Sequence, residues 1–360
     1  VAAEEVLAII NKLVHDLGLT VIMAEHKLER VIHFVDRIVL VQGDGQVEIG
    51  LPQEIMNKSD INPPIVKVAK HLNLTELPLS VRELKRVTSK WQLPIKAIQR
   101  SAFRKSQPSV QVKDLSVDLS SKRVLNKVNL DFNTGEIISV MGRNGAGKST
   151  LLRAIAGGLN QFAGEILING SDASKLTGKD LVSLIGYVPQ EPADLFFASS
   201  VKGECEHTDS QNGLVAGSTE EILTALSPSI NINSHPRDLS EGQKLVLALA
   251  LVLVTNPKIL ILDEPTRGLD YRTKDQLTQI LKDVALNSVT VILATHDVEL
   301  VAELATRVVV IADGEIISDG ETRDVLTSSP AFAPQVSKAF SSQNWLTVAD
   351  VIFADIKEID

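Results

Sequence analysis

Long apolar runs bounded by polar residues predict where buried strands and helices lie along the chain. EIISVM (136–141), KILILDEP (258–265) and VTVILATH (289–296) have the continuous apolar character of strands covered on both faces of a parallel sheet. STLLRAIAGG, which follows closely on the first of these runs, predicts a helix. LVLALALVLV (245–254) is about half as long as the roughly twenty residues of a bilayer span, so we expect a buried helix. The pattern predicts an α/β fold.

One of these predicted strands occurs twice. VIMAEH (21–26) returns as VILATH (291–296), and sliding the chain by 270 positions aligns residues 1–40 with residues 271–310 without a gap. Such self-similarity is the sequence sign of a repeated structural unit. We therefore predict the same strand, ending in the same histidine, in both places.

The repeat extends through the segments that follow, because residues 60–88 resemble residues 328–355. We expect the front of the first copy to be missing from this sequence, so that only the second copy is complete. The predicted domains are a C-terminal remnant of the first copy with its extension (1–90), a locally basic linker (91–107), the complete second copy (108–327) and a C-terminal extension (328–360).

Composition narrows the function classes. With 360 residues, 44% of them apolar and 22% charged, the chain has the balance of a globular protein with about two domains. A net charge of −9 and no basic stripe argue against nucleic acid as the main partner. Cys205 is the single cysteine, which excludes an internal disulfide and a cysteine-rich metal site and fits a reducing compartment. The first residues show no signal-peptide pattern.

GRNGAGKST (142–150) has the spacing of a phosphate-binding loop, G-x-x-x-x-G-K-[ST]. It stands between a predicted strand and a predicted helix, where glycines let backbone N–H groups surround phosphates and the helix N-terminus adds partial positive charge. The alternative is a glycine-rich turn with no ligand. The predicted nucleotide-binding residues of this loop are Gly142, Asn144, Gly145, Gly147, Lys148, Ser149 and Thr150.

Two carboxylates follow the apolar run at 259–262. We expect Asp263 and Glu264 to emerge at the carboxyl end of a central strand, where open α/β sheets bind ligands. There Asp263 is suited to hold Mg²⁺ and Glu264 to accept a proton from, or to orient, an attacking water. The alternative is that both are ordinary loop residues.

A histidine ends the next predicted strand. His296 either is a hydrogen-bonded core residue or contacts the outermost phosphate or the attacking water from the same edge of the sheet. His26 is its counterpart in the incomplete copy, which suggests that the first copy also built a nucleotide site.

Three further motifs complete a resemblance to the ATP-binding cassette (ABC) ATPases. LSEGQ (239–243) resembles the family signature, Gln190 in IGYVPQEP resembles the Q-loop, and GLD (268–270) resembles the D-loop. The resemblance implies a P-loop NTPase cassette with a RecA-like, mostly parallel sheet, an antiparallel β subdomain and a helical subdomain at about 191–250. It also implies that residues 1–90 are the C-terminal fragment of a second cassette of this type.

The family binds ATP with Mg²⁺ between two cassettes that pair head to tail, so the resemblance assigns roles to residues of this sequence. The implied catalytic residues are Glu264, His296 and Gln190, and the implied metal ligands are Ser149, Gln190 and Asp263. The residues implied to close over the ATP of the opposite cassette are Ser240, Gly242 and Gln243, and Asp270 of the D-loop is implied to be a further nucleotide-binding residue. The partner of the complete cassette would be the first copy, whose front is missing from this sequence, or another copy of this chain.

The sequence departs from the family pattern at two positions. In the family an aromatic side chain often stacks on adenine, and the matching position in this sequence is Leu119, which lacks that ring. Glu241 replaces the second glycine of the usual signature and leaves Ser240 and Gly242 in place.

QEPADLFFASSVKGE (190–204) is similar to the Gln-x-Pro…Leu-Phe…Val-x-x-Glu pattern of energy-coupling-factor (ECF) transporter ATPases. This implies an importer of a vitamin, a vitamin precursor or a transition metal ion such as cobalt or nickel. Its ATPase would sit peripherally on the cytoplasmic face of the membrane, with a transmembrane coupling subunit and a small substrate-binding membrane subunit as partners. A conventional ABC importer subunit and a soluble tandem-cassette ATPase acting on ribosomes remain alternatives.

Overall fold

The computed structural model of the chain describes residues 2–41, 45–89, 91, 107–120, 122–159 and 161–354. The predicted linker at 91–107 lies outside these residues except for its first and last positions. Residues 355–360 of the predicted C-terminal extension lie outside them as well.

The described residues form strands and α-helices with the following bounds. The strands are β1 (Ile38–Val41), β2 (Val47–Gly50), β3 (Pro108–Leu119), β4 (Lys122–Asn133), β5 (Ile137–Met141), β6 (Ala163–Ile168), β7 (Ser171–Asp172), β8 (Ile185–Val188), β9 (Ile259–Asp263), β10 (Thr290–Ala294), β11 (Arg307–Ala312) and β12 (Glu315–Glu321). The helices are α1 (Ala2–Leu17), α2 (Pro52–Lys58), α3 (Pro64–His71), α4 (Val81–Thr88), α5 (Lys148–Ile155), α6 (Gly178–Leu184), α7 (Val201–Asn212), α8 (Ser218–Leu226), α9 (Glu241–Leu253), α10 (Tyr271–Leu286), α11 (Val298–Leu304), α12 (Thr322–Ser328), α13 (Gln335–Ala339) and α14 (Val348–Phe353).

The described residues divide into two compact units. One comprises positions 2–91, 270–272 and 333–354, and the other comprises positions 107–269 and 273–332.

The larger unit is built on a six-stranded sheet in the order β12-β11-β5-β10-β9-β8. All neighbouring pairs are parallel except β11 and β12. Every residue of β5, β9 and β10 is buried, as the continuous apolar runs predicted. Because the three strands are adjacent and parallel, their carboxyl ends meet at one edge of the sheet. The predicted α/β fold with a mostly parallel sheet is confirmed.

A second sheet in this unit is antiparallel, in the order β4-β3-β6-β7. Its apolar face packs with α5 and the central sheet into one core that includes Val112, Leu130 and Ile155. The β3–β4 hairpin also reaches the loop after β5, where the Val124 carbonyl oxygen and the Leu125 side chain approach Gly147. The antiparallel sheet therefore supports the loop that leads into α5.

The helices α7, α8 and α9 form a helical subdomain with a separate core. Val201, Cys205, Leu223 and Leu247 are among its buried members. Residues 245–251 of α9 are buried, which confirms the prediction of a buried helix there. Within the part of the chain that the structure describes, no helix combines the length and apolarity that a membrane crossing requires.

In the smaller unit, the two extensions that resemble each other in sequence share one core. Leu84 of α4 packs in the same cluster as Phe340 and Trp345, whose ring centroids are 5.1 Å apart. The helix starts match in detail. The Glu83 carboxylate accepts a hydrogen bond from the Leu79 N–H at 2.8 Å, and the Asp350 carboxylate accepts one from the Leu346 N–H at 2.7 Å. The equivalent capping contacts give α4 and α14 the same entry geometry.

The prediction of a strand at residues 21–26 is wrong for this structure. Residues 18–25 have no strand structure, and Ile22 is 93% exposed, whereas its counterpart Ile292 in β10 is 0% exposed. A strand needs a neighbour to satisfy its backbone groups and to cover its side chains. In β10 those neighbours are β5 and β9.

Candidate nucleotide site

The phosphate loop (residues 142–149) follows β5 and ends in the first turn of α5. Gly142 has φ +153°, and a Cβ placed on it would lie 2.3 Å from the carbonyl oxygen of Ile311. Gly147 has φ +107°, and its Cβ would lie 2.7 Å from a methyl carbon of Leu125. Both positions therefore require glycine, for backbone conformation and for space. The loop is held between β11 and the β3–β4 hairpin.

Lys148 is buried at the end of this loop, with 6% of its side chain exposed. Its Nζ donates hydrogen bonds to the carbonyl oxygens of Gly142 at 3.0 Å and Arg143 at 3.3 Å. The same atom lies 3.7 Å from Glu264 Oε1. The ammonium group is thus fixed over the loop, where it can contact the outer phosphates of a bound nucleotide.

The remaining predicted residues of the loop lie around it. Asn144 and Gly145 are exposed, and Gly145 has φ +82° with open space at the Cβ position. Ser149 and Thr150 are half-buried in the first turn of α5. The helix N-terminus therefore faces the loop with N–H groups that have no partner within the helix.

Glu264 lies directly after β9 in a left-handed conformation, with φ +48°. Its N–H donates to the Ala294 carbonyl oxygen at 2.8 Å, and its Oε2 lies 2.7 Å from His296 Nδ1. Burial alone would raise the pKa of this carboxyl. The hydrogen bond and the electrostatic interaction with His296, together with the positive charge of Lys148, outweigh burial and hold the Glu264 pKa below its usual value. The side chain is therefore an ionised, oriented acceptor.

Asp263 ends β9 with 4% of the residue exposed, and its side chain is hydrogen-bonded to Ser149. Burial raises the pKa of this carboxyl, and the neighbouring Glu264 charge adds to the effect. Its Oδ1 is buried and receives no hydrogen bond from the described residues. A buried carboxylate oxygen beside a serine hydroxyl fits Mg²⁺, which takes oxygen ligands from one or two protein side chains and from substrate phosphates. The geometry therefore fits the ion that the sequence predicted.

Gln190 follows β8 and lines a cavity of about 310 Å³ together with Glu264. The cavity walls also include Glu241 and Arg267, and Arg267 lies 3.9 Å from the carboxylate of Glu191. Gln190 therefore lines the same cavity as the predicted catalytic carboxylate.

The signature residues begin α9. Ser240 and Gln243 cap the helix reciprocally, with the Gln243 N–H donating to Ser240 Oγ at 3.3 Å and the Ser240 N–H donating to Gln243 Oε1 at 3.0 Å. Gly242 is needed for space, because its Cβ would lie 2.7 Å from a Thr273 side-chain carbon. Asp270 belongs to the smaller of the two units. The close contacts of the site join Lys148, Ser149, Asp263, Glu264 and His296, whereas the signature hydrogen bonds stay within the first turn of α9.

One ion pair beside the site is not apparent from the motifs. Lys274 Nζ of α10 lies 2.7 Å from the Asp297 carboxylate, and both side chains are largely buried. Asp297 directly follows His296 and caps α11 by accepting from the Leu300 N–H. The pair therefore fixes the turn that carries His296. The His-Asp dipeptide was visible in the sequence, but nothing in the sequence indicated a partner on α10.

Leu119 lies at the end of β3 and is 41% exposed. It faces Lys122 across the hairpin, one step beyond the Asp118–Arg123 ion pair. The aliphatic side chain is thus at the surface of the hairpin that also contacts the phosphate loop through Val124.

Comparison with known proteins identifies similar sequences. The family described as "ABC transporter" matches residues 125–267. A putative ABC transporter ATP-binding protein of Streptomyces avermitilis is 42% identical over 97% of this chain and 68% of its own length. One of Clostridium tetani is 33% identical over 95% of this chain and 79% of its own length.

Two solved structures match the fold of this chain over about three fifths of its length. The structure of cbiO1 from Clostridium perfringens, described as part of the ABC transporter complex cbiONQ, has a TM-score of 0.55 and 30% identity. It covers 61% of this chain and 90% of its own. A dimeric ATP-binding cassette in a post-hydrolysis state, bound to ADP and Pi, has a TM-score of 0.53 and 26% identity, over 59% of this chain and 98% of its own.

Proposed function

The chain belongs to the ATP-binding proteins of ABC transporters, and we propose that it drives an ECF-type importer from the cytoplasmic face of the membrane. As a member of this family it is an ATPase that converts ATP and water to ADP and phosphate. The proposal adds the class of transporter, the partners, the place in the cell and the roles of individual residues.

Phosphate binding is assigned to residues 142–150, with Lys148 neutralising the outer phosphates. Ser149 and Asp263 hold Mg²⁺, with Gln190 as a further oxygen ligand. The ion, when bound, neutralises phosphate charge and aligns the outer phosphate for attack. Asp263 Oδ1, which is buried and has no hydrogen-bond partner among the described residues, supports this assignment.

Glu264 is assigned to orient the attacking water and to receive its proton. Its carboxylate is ionised and fixed by His296 at 2.7 Å, so the acceptor is in place before substrate arrives. His296, with half of its side chain exposed, can also reach the outermost phosphate. Replacing Glu264 by Gln retains the shape of the side chain and removes the base.

The expected result for Glu264→Gln is retained ATP binding with hydrolysis slowed by roughly 10² to 10⁴. Isothermal titration gives the affinity, and phosphate release gives the rate. A variant that hydrolyses ATP at the wild-type rate would remove Glu264 as the base.

Hydrolysis needs two cassettes, because Ser240, Gly242 and Gln243 act on the ATP of the opposite cassette, and Asp270 is assigned as a further nucleotide-binding residue. The repeat supports a first cassette whose rear part is residues 1–90, with its own phosphate loop and signature in its front part. The opposite cassette is that first cassette or, as the alternative, a second copy of this chain.

The observation that carries the ECF assignment is the 30% identity to cbiO1, which is described as part of the ABC transporter complex cbiONQ. The pattern at 190–204 supports the same subtype. A transmembrane coupling subunit and a small substrate-binding membrane subunit are the partners. The transported solute is a vitamin, a vitamin precursor or a transition metal ion.

The test is affinity purification of the tagged chain from detergent-solubilised membranes of the source organism, with mass spectrometry of what is retained. The expected result is a multi-span membrane protein together with a small membrane subunit. A conventional pair of importer subunits would replace the ECF assignment by an ordinary ABC importer. Ribosomal proteins with nothing from the membrane would move the function to translation and leave only the ATPase chemistry.

A further inference from the structure

A carboxylate stands in the signature at a position where the usual motif has a glycine. Glu241 is the first residue of α9, and its Oε1 lies 2.8 Å from the Nζ of Lys244, three residues further along the helix. The Lys244 side chain is only 15% exposed, whereas that of Glu241 is 46% exposed. A largely buried cation therefore holds a half-exposed carboxylate. We refer to Glu241 and Lys244 as the signature pair.

The stem of Glu241 is packed against the segment that follows Glu264. A Cβ placed on Gly268 would lie 3.2 Å from Glu241 Cγ and 3.4 Å from Glu241 Cβ. Gly268 has φ +72°, a left-handed conformation that favours glycine, so the backbone runs close to the Glu241 side chain. Glu241 is thus held at two points, by Gly268 along its stem and by Lys244 at its carboxylate.

The cavity that Glu241 lines contains the carboxylates of Glu191 and Glu264 as well. Each of these has a basic neighbour, because Arg267 lies 3.9 Å from Glu191 and Lys148 lies 3.7 Å from Glu264. The signature pair is closer than either. Carboxylates that share a cavity repel one another, and they repel a bound phosphate, unless positive charge balances them.

The position of the signature pair on α9 gives this balance a function. An ion pair three residues apart on a helix adds little to stability. The N-terminus of this thirteen-residue helix, however, carries partial positive charge that favours an anion. A free carboxylate at the first helical position cancels part of that charge, whereas a carboxylate held by a cation does not.

We propose that Lys244 is a positioning residue that neutralises Glu241 and holds its carboxylate against Gly268, which leaves the signature able to receive the phosphates of the ATP on the opposite cassette. The inference rests on the proposed function for the presence of that ATP. It explains how α9 keeps an anion-binding end although a glutamate replaces a glycine of the signature.

The first experiment detects the signature pair in the isolated chain. A water-soluble carbodiimide joins a carboxylate to an amine in contact with it as an amide with loss of water, and mass spectrometry of the digested protein locates the bond. We expect an amide between Glu241 and Lys244 that is absent from Glu241→Gln and Lys244→Met. The ion pair of Lys113 and Glu165, 3.1 Å apart, is the control for the reagent. No amide between Glu241 and Lys244 overturns the inference.

The second experiment measures how the signature is used. ATP hydrolysis is followed on the tagged chain as purified from solubilised membranes, together with the proteins it retains. Lys244→Met keeps the packing of the side-chain stem and removes the charge. We expect its KM for ATP to rise about tenfold and its kcat to stay within about twofold of the wild type. Lys244→Arg keeps the charge and is expected to restore the wild-type KM.

The variant Glu241→Gln separates charge from packing, because it removes the carboxylate that Lys244 neutralises. Adding Lys244→Met to it should leave KM within about twofold of that of Glu241→Gln alone. High salt should reduce the effect of Lys244→Met in the wild-type background, since it screens the repulsion. An unchanged KM in Lys244→Met overturns the inference. A rise that persists at high salt or in the Glu241→Gln background shows that Lys244 acts through packing and overturns it as well.

Two further measurements separate this inference from the proposed function. ATP affinity of the isolated chain, measured by isothermal titration, should not change in Lys244→Met, and a tenfold loss would overturn the inference by placing Lys244 at the ATP of its own cassette. Ser240→Ala reports whether the signature is used at all. If it leaves hydrolysis unchanged, the pairing of cassettes in the proposed function fails. If it slows hydrolysis while Lys244→Met leaves KM unchanged, only the inference fails.

Discussion

Two nearly identical segments adopt different structures in this chain. VILATH at 291–296 contains most of β10, where Val291 and Ile292 are fully buried between β5 and β9. VIMAEH at 21–26 forms no strand, with Val21 40% and Ile22 93% exposed. The difference shows that apolar residues of high strand propensity form a strand only where a sheet receives them.

Unlike the strand, the helix that precedes each of these two segments is formed in both copies of the repeat. Helix α10 and its counterpart α1 are both sixteen residues long and occupy aligned positions of the repeat to within one residue. A helix satisfies its backbone hydrogen bonds internally, so it forms in both copies, whereas a strand depends on residues distant in sequence. The comparison separates what is locally encoded from what the tertiary neighbours supply.

If the complete copy binds the nucleotide, then Lys148→Ala in its phosphate loop should have the largest effect of the variants considered. We expect ATP affinity to fall by at least about 30-fold, because removing a buried charge from its contact costs roughly 2–5 kcal/mol. Isothermal titration with Mg²⁺-ATP measures it. Lys175→Ala, on an exposed side chain, is the control and should bind normally. Retained affinity in the Lys148 variant would place the nucleotide elsewhere.

The difference in burial between Ile292 and Ile22 is tested by replacing each of them with alanine. Ile292→Ala is expected to cost about 2–5 kcal/mol of unfolding free energy, since it removes buried methyl groups and leaves a cavity. Ile22→Ala is expected to stay within about 0.5 kcal/mol, because its side chain is exposed. Urea unfolding followed by circular dichroism measures both. Equal losses would mean that residues 20–26 are buried in solution.

His296 and its counterpart His26 extend the comparison of the two copies from structure to function. His296→Ala is expected to slow ATP hydrolysis by roughly 10²-fold with little change in ATP affinity, because Glu264 loses the group that orients it. His26→Ala should leave hydrolysis by this chain unchanged, because residues 21–25, which precede His26, do not form the strand that would place it at a sheet edge. A phosphate-release assay compares them. A loss of activity in the His26 variant would show that the first copy takes part in the reaction.

The smallest of the expected effects concerns Leu119, at the position predicted to lie beside the adenine of the nucleotide. Leu119→Tyr is expected to tighten ATP binding by about fivefold or more, because base stacking on an aromatic contributes roughly 1–3 kcal/mol. Leu119→Ala is the matched variant and should not tighten binding. Affinities for ATP and GTP measured on each variant check this. If tyrosine leaves both affinities unchanged, position 119 does not contact the base.

Features that depend on residue spacing and on local backbone chemistry were predictable from the sequence alone. The positions of the phosphate loop, of the Asp263–Glu264 pair and of His296 follow from motifs at the ends of continuous apolar runs. The α/β fold follows from the same runs, because strands buried on both faces are apolar throughout. The helix caps of the repeated extensions also reflect short-range patterns, as Ser80 and Thr347 show.

The three-dimensional structure was needed to show which of the repeated segments form strands and which side chains contact each other. The Lys274–Asp297 pair and the left-handed conformation of Glu264 each depend on groups brought together by packing. Residues 20–26 carry the same strand pattern as β10, yet they lack the two neighbouring strands that would pair with them. The physical reason is that a strand's hydrogen bonds and its burial are both supplied by other segments of the chain.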